Sequence, residues 1–265
     1  MNKTELLSRF ASSPEEKLAL ARVLDKLELA RSRNIPACTH FLALGDRLAA
    51  GRLIAAAGGG EPLFWGGYEG AERQVCAFLP DWLDPQDWRE GEDCPLSAVA
   101  FTAPPGSGLT HRDYLGALMG AGIAREKLGD FLLHGDTCQV VCLRELEPVL
   151  LSQVDQIGRW RVKAAPCPLS GLEPPEQKVK AIRDTVATLR LDAVAASGFS
   201  TSRAKMADLI AAGKVSLNGR ECLKPDRAVE AGDVLSCRGL GKCVLREVLG
   251  ASKKGRTMIL IERFL

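Results

Sequence analysis

One run in the last third of the chain permits few folds. It reads Leu189-Arg-Leu-Asp192, Gly198-Phe-Ser-Thr-Ser-Arg-Ala-Lys205, Leu209-Ile-Ala-Ala-Gly-Lys-Val-Ser-Leu-Asn-Gly219 and Gly232-Asp-Val-Leu-Ser236. This pattern is two short helices feeding a hairpin. Ser200, Thr201 or Ser202 caps a helix running to about Ala212, and Met206, Leu209 and Ile210 supply its buried side. Gly213 ends it, Val215 and Leu217 alternate as a strand, and Asn218-Gly219 is a strong hairpin turn. Arg203 and Lys205 fall in the first turn, where unpaired N–H groups and the helix dipole already favour an anion.

Charge distribution agrees with that placement. Residues 180–265 hold 16 Lys and Arg against 9 Asp and Glu, a balance of +7, whereas the remaining 19 and 24 leave residues 1–179 at −5. A basic end on a slightly acidic body points to a polyanionic partner. The candidate contacts to such a polyanion are Arg190, Ser202, Arg203 and Lys205, then Lys214, Asn218, Arg220 and Lys224 around the hairpin. Two glycine-containing basic loops add Arg238 and Lys242, then Lys253, Lys254 and Arg256. Glycine among cations lets backbone approach phosphate closely.

Nine cysteines form no Cys-x-x-Cys pair, and the histidines at 40, 111 and 134 lie at no ligand spacing from them. The expectation is reduced, core-filling thiols with no metal and no cofactor, as in a cytoplasmic protein. The amino terminus lacks an apolar signal segment, and no stretch approaches the ~20 apolar residues of a membrane helix.

The chain reads as α+β with three domains. Residues 1–85 form a mainly helical N-terminal domain: helix over 4–32 broken at Ser12-Ser13-Pro14, another over 41–57, then short strands at 62–65 and 73–79. Residues 82–91 read as a linker. Residues 92–168 give the order βαββαβ of a ferredoxin-like middle domain, with strands at 96–102, 130–133, 137–143 and 159–165 and helices at 111–119 and 147–157. These strands lack the aromatic pattern that stacks bases in RNA-recognition domains, so any RNA contact there uses another surface. A helix over 176–187 leads into the C-terminal domain, 178–265.

That C-terminal domain closely resembles the alpha-L RNA-binding module of the ribosomal protein S-four family. Tyrosyl-tRNA synthetases carry it too, but their nucleotide-binding motifs are missing here. Arg190-Leu-Asp192 matches a pseudouridine-synthase triplet only superficially, because just 73 residues follow it; Asp192 reads as structural. Gly66-Gly-Tyr-Glu-Gly-Ala-Glu-Arg73, Leu109-Thr-His-Arg-Asp-Tyr-Leu-Gly-Ala-Leu-Met-Gly120 and Arg125-Glu-Lys-Leu-Gly-Asp130, with the terminal module, resemble the YlmH family of bacterial and plastid RNA-binding proteins. The resemblance implies a non-catalytic factor of ribosome-associated quality control. Such a factor binds large-subunit ribosomal RNA and tRNA and works beside one that adds alanine tails to stalled chains. It also makes His111 and Arg112, at a helix start, a second RNA surface; the competing reading has Thr110 capping that helix and both residues solvated. Tyr68, Glu69 and Arg73 offer either an interdomain contact or another RNA surface. Two other classes stay open: an RNA-modifying enzyme, and an RNA-binding regulator in cell division or photosystem assembly.

Overall fold

The computed structural model describes residues 2–176, 178–252 and 255–265. The chain divides into two compact units, Met1–Pro175 and Glu176–Leu265.

The first unit begins with α1 (Lys3–Phe10) and α2 (Pro14–Arg33). Ser13 caps α2 by accepting from the Glu16 amide, with Pro14 at the first helical position, where its missing N–H is no loss. β1 (Ala37–Cys38), α3 (Leu44–Ala56), β2 (Leu63–Trp65) and β3 (Val75–Phe78) follow. The three strands form an antiparallel sheet in the order β1-β3-β2. Leu20, Val23, Leu27, Leu53 and Ile54 pack with Cys76 and Phe78 into one core.

The expected linker at 82–91 contains instead α4 (Pro85–Glu90), capped by Asp84 and carrying a fully buried Trp88. Flanking prolines and acids disguised it, because Asp-Pro is both turn chemistry and a helix start. No domain boundary falls between 85 and 92: residues 1–175 are one unit.

β4 (Leu96–Thr102), α5 (His111–Gly120), β5 (Leu128–His134), β6 (Thr137–Leu143) and α6 (Glu147–Gln153) continue the chain. A two-residue hairpin, β7 (Gln156–Ile157) with β8 (Trp160–Arg161), precedes β9 (Lys163–Cys167). The second helix is thus shorter than the sequence pattern indicated, and the closing strand lies a few residues later. The order β5-β6-β4-β9, antiparallel throughout, is the ferredoxin-like arrangement.

Both faces of this sheet are buried. Val99 lies opposite Val140 and Phe101 opposite Cys138 on the face covered by Tyr114 and Leu118 of α5 and Leu150 of α6. Leu96 opposite Leu143 and Ala98 opposite Val141 occupy the other face. There Leu96, Val141 and Leu143 cluster with Phe41, Val75, Ala77 and Trp88. Strand side chains alternate, so a continuous apolar run such as Val140–Leu143 fits a sheet covered on both sides.

The second unit opens with β10 (Val179–Val186), where a helix was expected over 176–187. Ile182 and Val186, four apart, mimic helical periodicity. Full antiparallel pairing with the last strand, from Val179↔Phe264 to Val186↔Thr257, decides the matter, as tertiary pairing commonly overrides local preference. Then come α7 (Leu191–Gly198), α8 (Arg203–Ala211), β11 (Val215–Leu217), β12 (Arg220–Glu221), β13 (Val234–Cys237), β14 (Gly241–Ala251) and β15 (Thr257–Phe264). The sheet runs β10-β15-β14-β13-β11-β12. Leu191, Val194, Met206 and Ile210 pack the helices against Val215, Leu235, Leu245 and Ile261.

All nine cysteines are unpaired, and burial pushes the Cys138 and Cys142 thiols up to about 12. Among the described residues no helix is long and apolar enough to cross a membrane. Because Trp88 is fully enclosed, Trp88→Ala should lower stability by about 3–5 kcal/mol. Urea unfolding followed by circular dichroism checks this; a loss below 1 kcal/mol would mean that α4 is not part of the core.

Candidate nucleic-acid interface

The two short helices of the second unit are positioned by a carboxylate. Asp192, with 6% of its side chain exposed, accepts from Arg190 Nε at 3.2 Å and Arg203 Nε at 3.0 Å. Burial alone would raise its pKa, but the hydrogen bonds and charges of the two arginines outweigh this and hold it below the ordinary carboxylate value. The Leu191 and Asp192 amides donate to the Arg227 and Pro225 carbonyls, so the start of α7 is closed off by the 225–227 loop. The start of α8 is different. Ser202 Oγ accepts from the Lys205 amide at 3.2 Å, and the Arg203 and Ala204 amides have no partner among the described residues. Arg203 and Lys205 are exposed there. Of its guanidinium nitrogens, Arg203 commits only Nε to Asp192, leaving the Nη groups for an incoming phosphate.

The hairpin forms as its turn chemistry dictates. Asn218 and Gly219 both adopt positive φ, 53° and 78°, the geometry of a type I′ turn. The Asn218 side chain is consumed in folding: its amide donates to Asp233 at 2.7 Å and its oxygen accepts from the Val234 amide at 2.9 Å. It holds the turn. Lys214 and Arg238 are exposed neighbours, joined through the Arg238 amide and the Lys214 carbonyl at 2.9 Å. Lys224 is exposed on the loop that seals α7. Arg220 is half-buried in the hairpin, and burial lowers its pKa. Lys242 Nζ sits 4.5 Å from the Phe264 ring centroid, a cation–π contact. Arg256 donates to the hydroxyl and carbonyl of Thr185, tying the β14–β15 tip to β10. Lys253 and Lys254 lie outside the described residues.

The expected set thus separates in two. Arg203, Lys205, Lys214, Lys224 and Arg238 present charge outward; Arg190, Asn218, Lys242 and Arg256 also hold the unit together. Arg183 was missed. It is exposed on β10 and donates to no group among the described residues, and reading that segment as helix hid its placement.

In the first unit, His111 opens α5 with its ring 4.9 Å from that of Phe131. Burial, then Arg125, lowers its pKa, which disfavours a cation at this helix start. The Asp113 carboxylate accepts from the Thr110 amide and hydroxyl, both at 2.7 Å. Arg112 is exposed and unpaired among the described residues, and is the cation of this surface. The sheet face opposite the helices, where RNA-recognition domains stack bases, is filled by Phe41, Val75 and Trp88.

Tyr68 and Arg73 resolve to an internal junction. Asp130 accepts from Tyr68 Oη at 2.8 Å, the Glu72 amide at 2.6 Å and the Arg73 amide at 3.1 Å. Arg73 donates to the carbonyls of Leu128, Phe41 and Arg125. Gly66 is needed because a Cβ there would stand 2.4 Å from the Arg73 carbonyl oxygen. Glu69 is exposed, with Arg89 3.7 Å away.

Comparison with known proteins agrees with both halves of this layout. Residues 106–171 match the family described as "Putative RNA-binding domain in YlmH", and residues 189–235 match the S4 domain. A relative from Bacillus subtilis (strain 168), named "Ribosome-associated protein quality control protein P2", is 35% identical over 201 residues. The match spans 76% of this chain and 77% of the relative. The chain belongs to the YlmH family. A solved structure, "Cell division protein ylmH from Streptococcus pneumoniae", covers 60% of this chain and 95% of its own at 17% identity and a TM-score of 0.49. In this YlmH-family chain, the family blocks at 66–73 and 125–130 build the junction around Asp130, and the S4 match spans α7, α8 and the hairpin.

Because Asp192 has a depressed pKa in the folded state, its stabilisation is fully present above the ordinary carboxylate value and is lost as pH falls from that value through the lower, folded one. Asp192→Asn should cost about 1–3 kcal/mol at neutral pH. The gap to wild type should narrow as pH falls below about 4, the ordinary carboxylate value. Denaturant titrations at several pH values test this, and a gap independent of pH would remove the charged role.

Proposed function

We propose that this chain is a non-catalytic RNA-binding factor of ribosome-associated quality control in the cytoplasm. It docks on large-subunit ribosomal RNA and on tRNA, and it supports a separate factor that adds alanine tails to stalled chains. The α8 start carries this reading: exposed Arg203 and Lys205 beside two backbone amides with no partner among the described residues. Phosphate, as a diffuse anion repeated along a folded RNA, suits that arrangement. Arg112 offers a second contact within the segment that matches the family's RNA-binding domain. The role in quality control follows the name of the Bacillus subtilis relative. The work is positioning: the surface supplies fixed donors and charge and needs no acid–base pair.

Sedimentation with purified ribosomal subunits tests the proposal. The wild-type chain should pellet with large subunits. Lys205→Ala should weaken binding and lower the slope of log affinity against log salt by about one. Arg203→Ala/Lys205→Ala should abolish pelleting at moderate salt while remaining folded, since Arg190 still pairs Asp192. Pelleting with small subunits alone, or unchanged binding by the double variant, would defeat the reading.

A further inference from the structure

The second unit contains a groove that the α8 surface does not account for. It has a volume of about 560 Å³ and lies between β10, α7 and the Ser200–Thr201 turn, with Arg256 at its margin. Ala187, Ala193 and Ala196 line it with small apolar side chains. The carboxylate in its wall, Asp184, is already satisfied by the Ser197 hydroxyl at 2.6 Å and the Thr185 amide at 2.7 Å. Three guanidinium groups border the space. Arg256 is fixed on Thr185, Arg203 uses only Nε, and Arg183 has no partner among the described residues. Ser200, held at φ 52°, and Thr201 add hydroxyls.

A duplex backbone would engage the cations and leave the alanine-lined depth empty. The volume lies within the ~300–1,000 Å³ of small-ligand sites, enough for one nucleotide. We infer that this groove receives a single unpaired nucleotide of the bound RNA. Its base lies against Ala187, Ala193 and Ala196, and the flanking phosphates meet Arg183, Arg203 and Arg256. The ribose 2′-hydroxyl faces Ser200 and Thr201, a contact that DNA cannot supply. This rests on the RNA-binding function proposed above and adds a preference for a splayed base to charge-driven docking.

Two fluorescein-labelled RNA hairpins test it, one fully paired and one with a single bulged nucleotide, titrated against the full chain by fluorescence anisotropy. The wild type should bind the bulged hairpin about tenfold more tightly. Arg183→Ala and Ala187→Glu, both at exposed positions, should each weaken the bulged hairpin more than the paired one and remove most of that preference. Lys205→Ala should weaken both RNAs alike. Equal affinity of the wild type for both hairpins, or a preference that survives both groove variants, overturns the inference. A chain that pellets with large subunits but shows no bulge preference loses the groove and keeps the ribosome reading. One that prefers the bulge yet pellets with no subunit keeps the groove and loses the ribosome.

Discussion

Asp192 accepts from Arg190 and Arg203 through its carboxylate, and the 225–227 loop accepts from the Leu191 and Asp192 amides, so three separated stretches of sequence meet at one residue and its neighbour. Burial makes that charge expensive unless it is paired, and two half-exposed guanidinium groups satisfy it. Each arginine thereby loses rotational freedom, and Arg203 keeps nitrogens directed outward. A phosphate arriving at α8 meets a donor already ordered, so less entropy is lost on binding than with a free side chain. The carboxylate therefore sets the geometry of the charged surface, although its own charge opposes RNA.

The first unit obeys a different constraint. Its middle sheet is apolar on both faces, and neither face can be left to water. Helices α5 and α6 cover one; Phe41, β3 and α4 cover the other. The junction is locked by Asp130, which takes three donors from residues 68–73, and by Arg73, whose guanidinium serves three carbonyls. The arginines of the chain's distinctive Gly66–Arg73 and Arg125–Asp130 blocks serve this junction, donating to internal carbonyls. Covering both sheet faces leaves the outer side of α5, where Arg112 is exposed, open to a partner.

Much of the layout was legible in the sequence because the deciding signals were local. Ser13-Pro14, Ser202 and Asn218-Gly219 act within a few residues of themselves, and each caps or turns the chain as its chemistry requires. The βαββαβ order survived even though the ends of α6 and β9 moved. What failed was non-local. Val179–Val186 is a strand only because β15 pairs with all of it. Trp88 is core only because a sheet face some fifty residues away needs covering. The candidate site shows the same division: Arg203 and Lys205 were readable from a helix start, whereas the groove beside Arg183 needed β10 and the β14–β15 tip to be placed first.

The charge balance of +7 over residues 180–265 measures long-range attraction, yet part of it is committed inside the unit. Arg190 and Arg203 share Asp192, Lys242 lies by Phe264, Arg256 holds Thr185, Arg246 pairs with Glu262 at 2.6 Å and Arg263 donates to the Leu240 carbonyl. A cation with an internal partner still contributes to the field that steers a polyanion, since that field sums over all charges. Only those with free donors form the close contacts that release counterions. Attraction and affinity therefore rest on different subsets of the same residues. Recognition by such a surface depends on the spacing of a few fixed donors at turns and helix starts, and so on the shape of a folded RNA more than on its sequence.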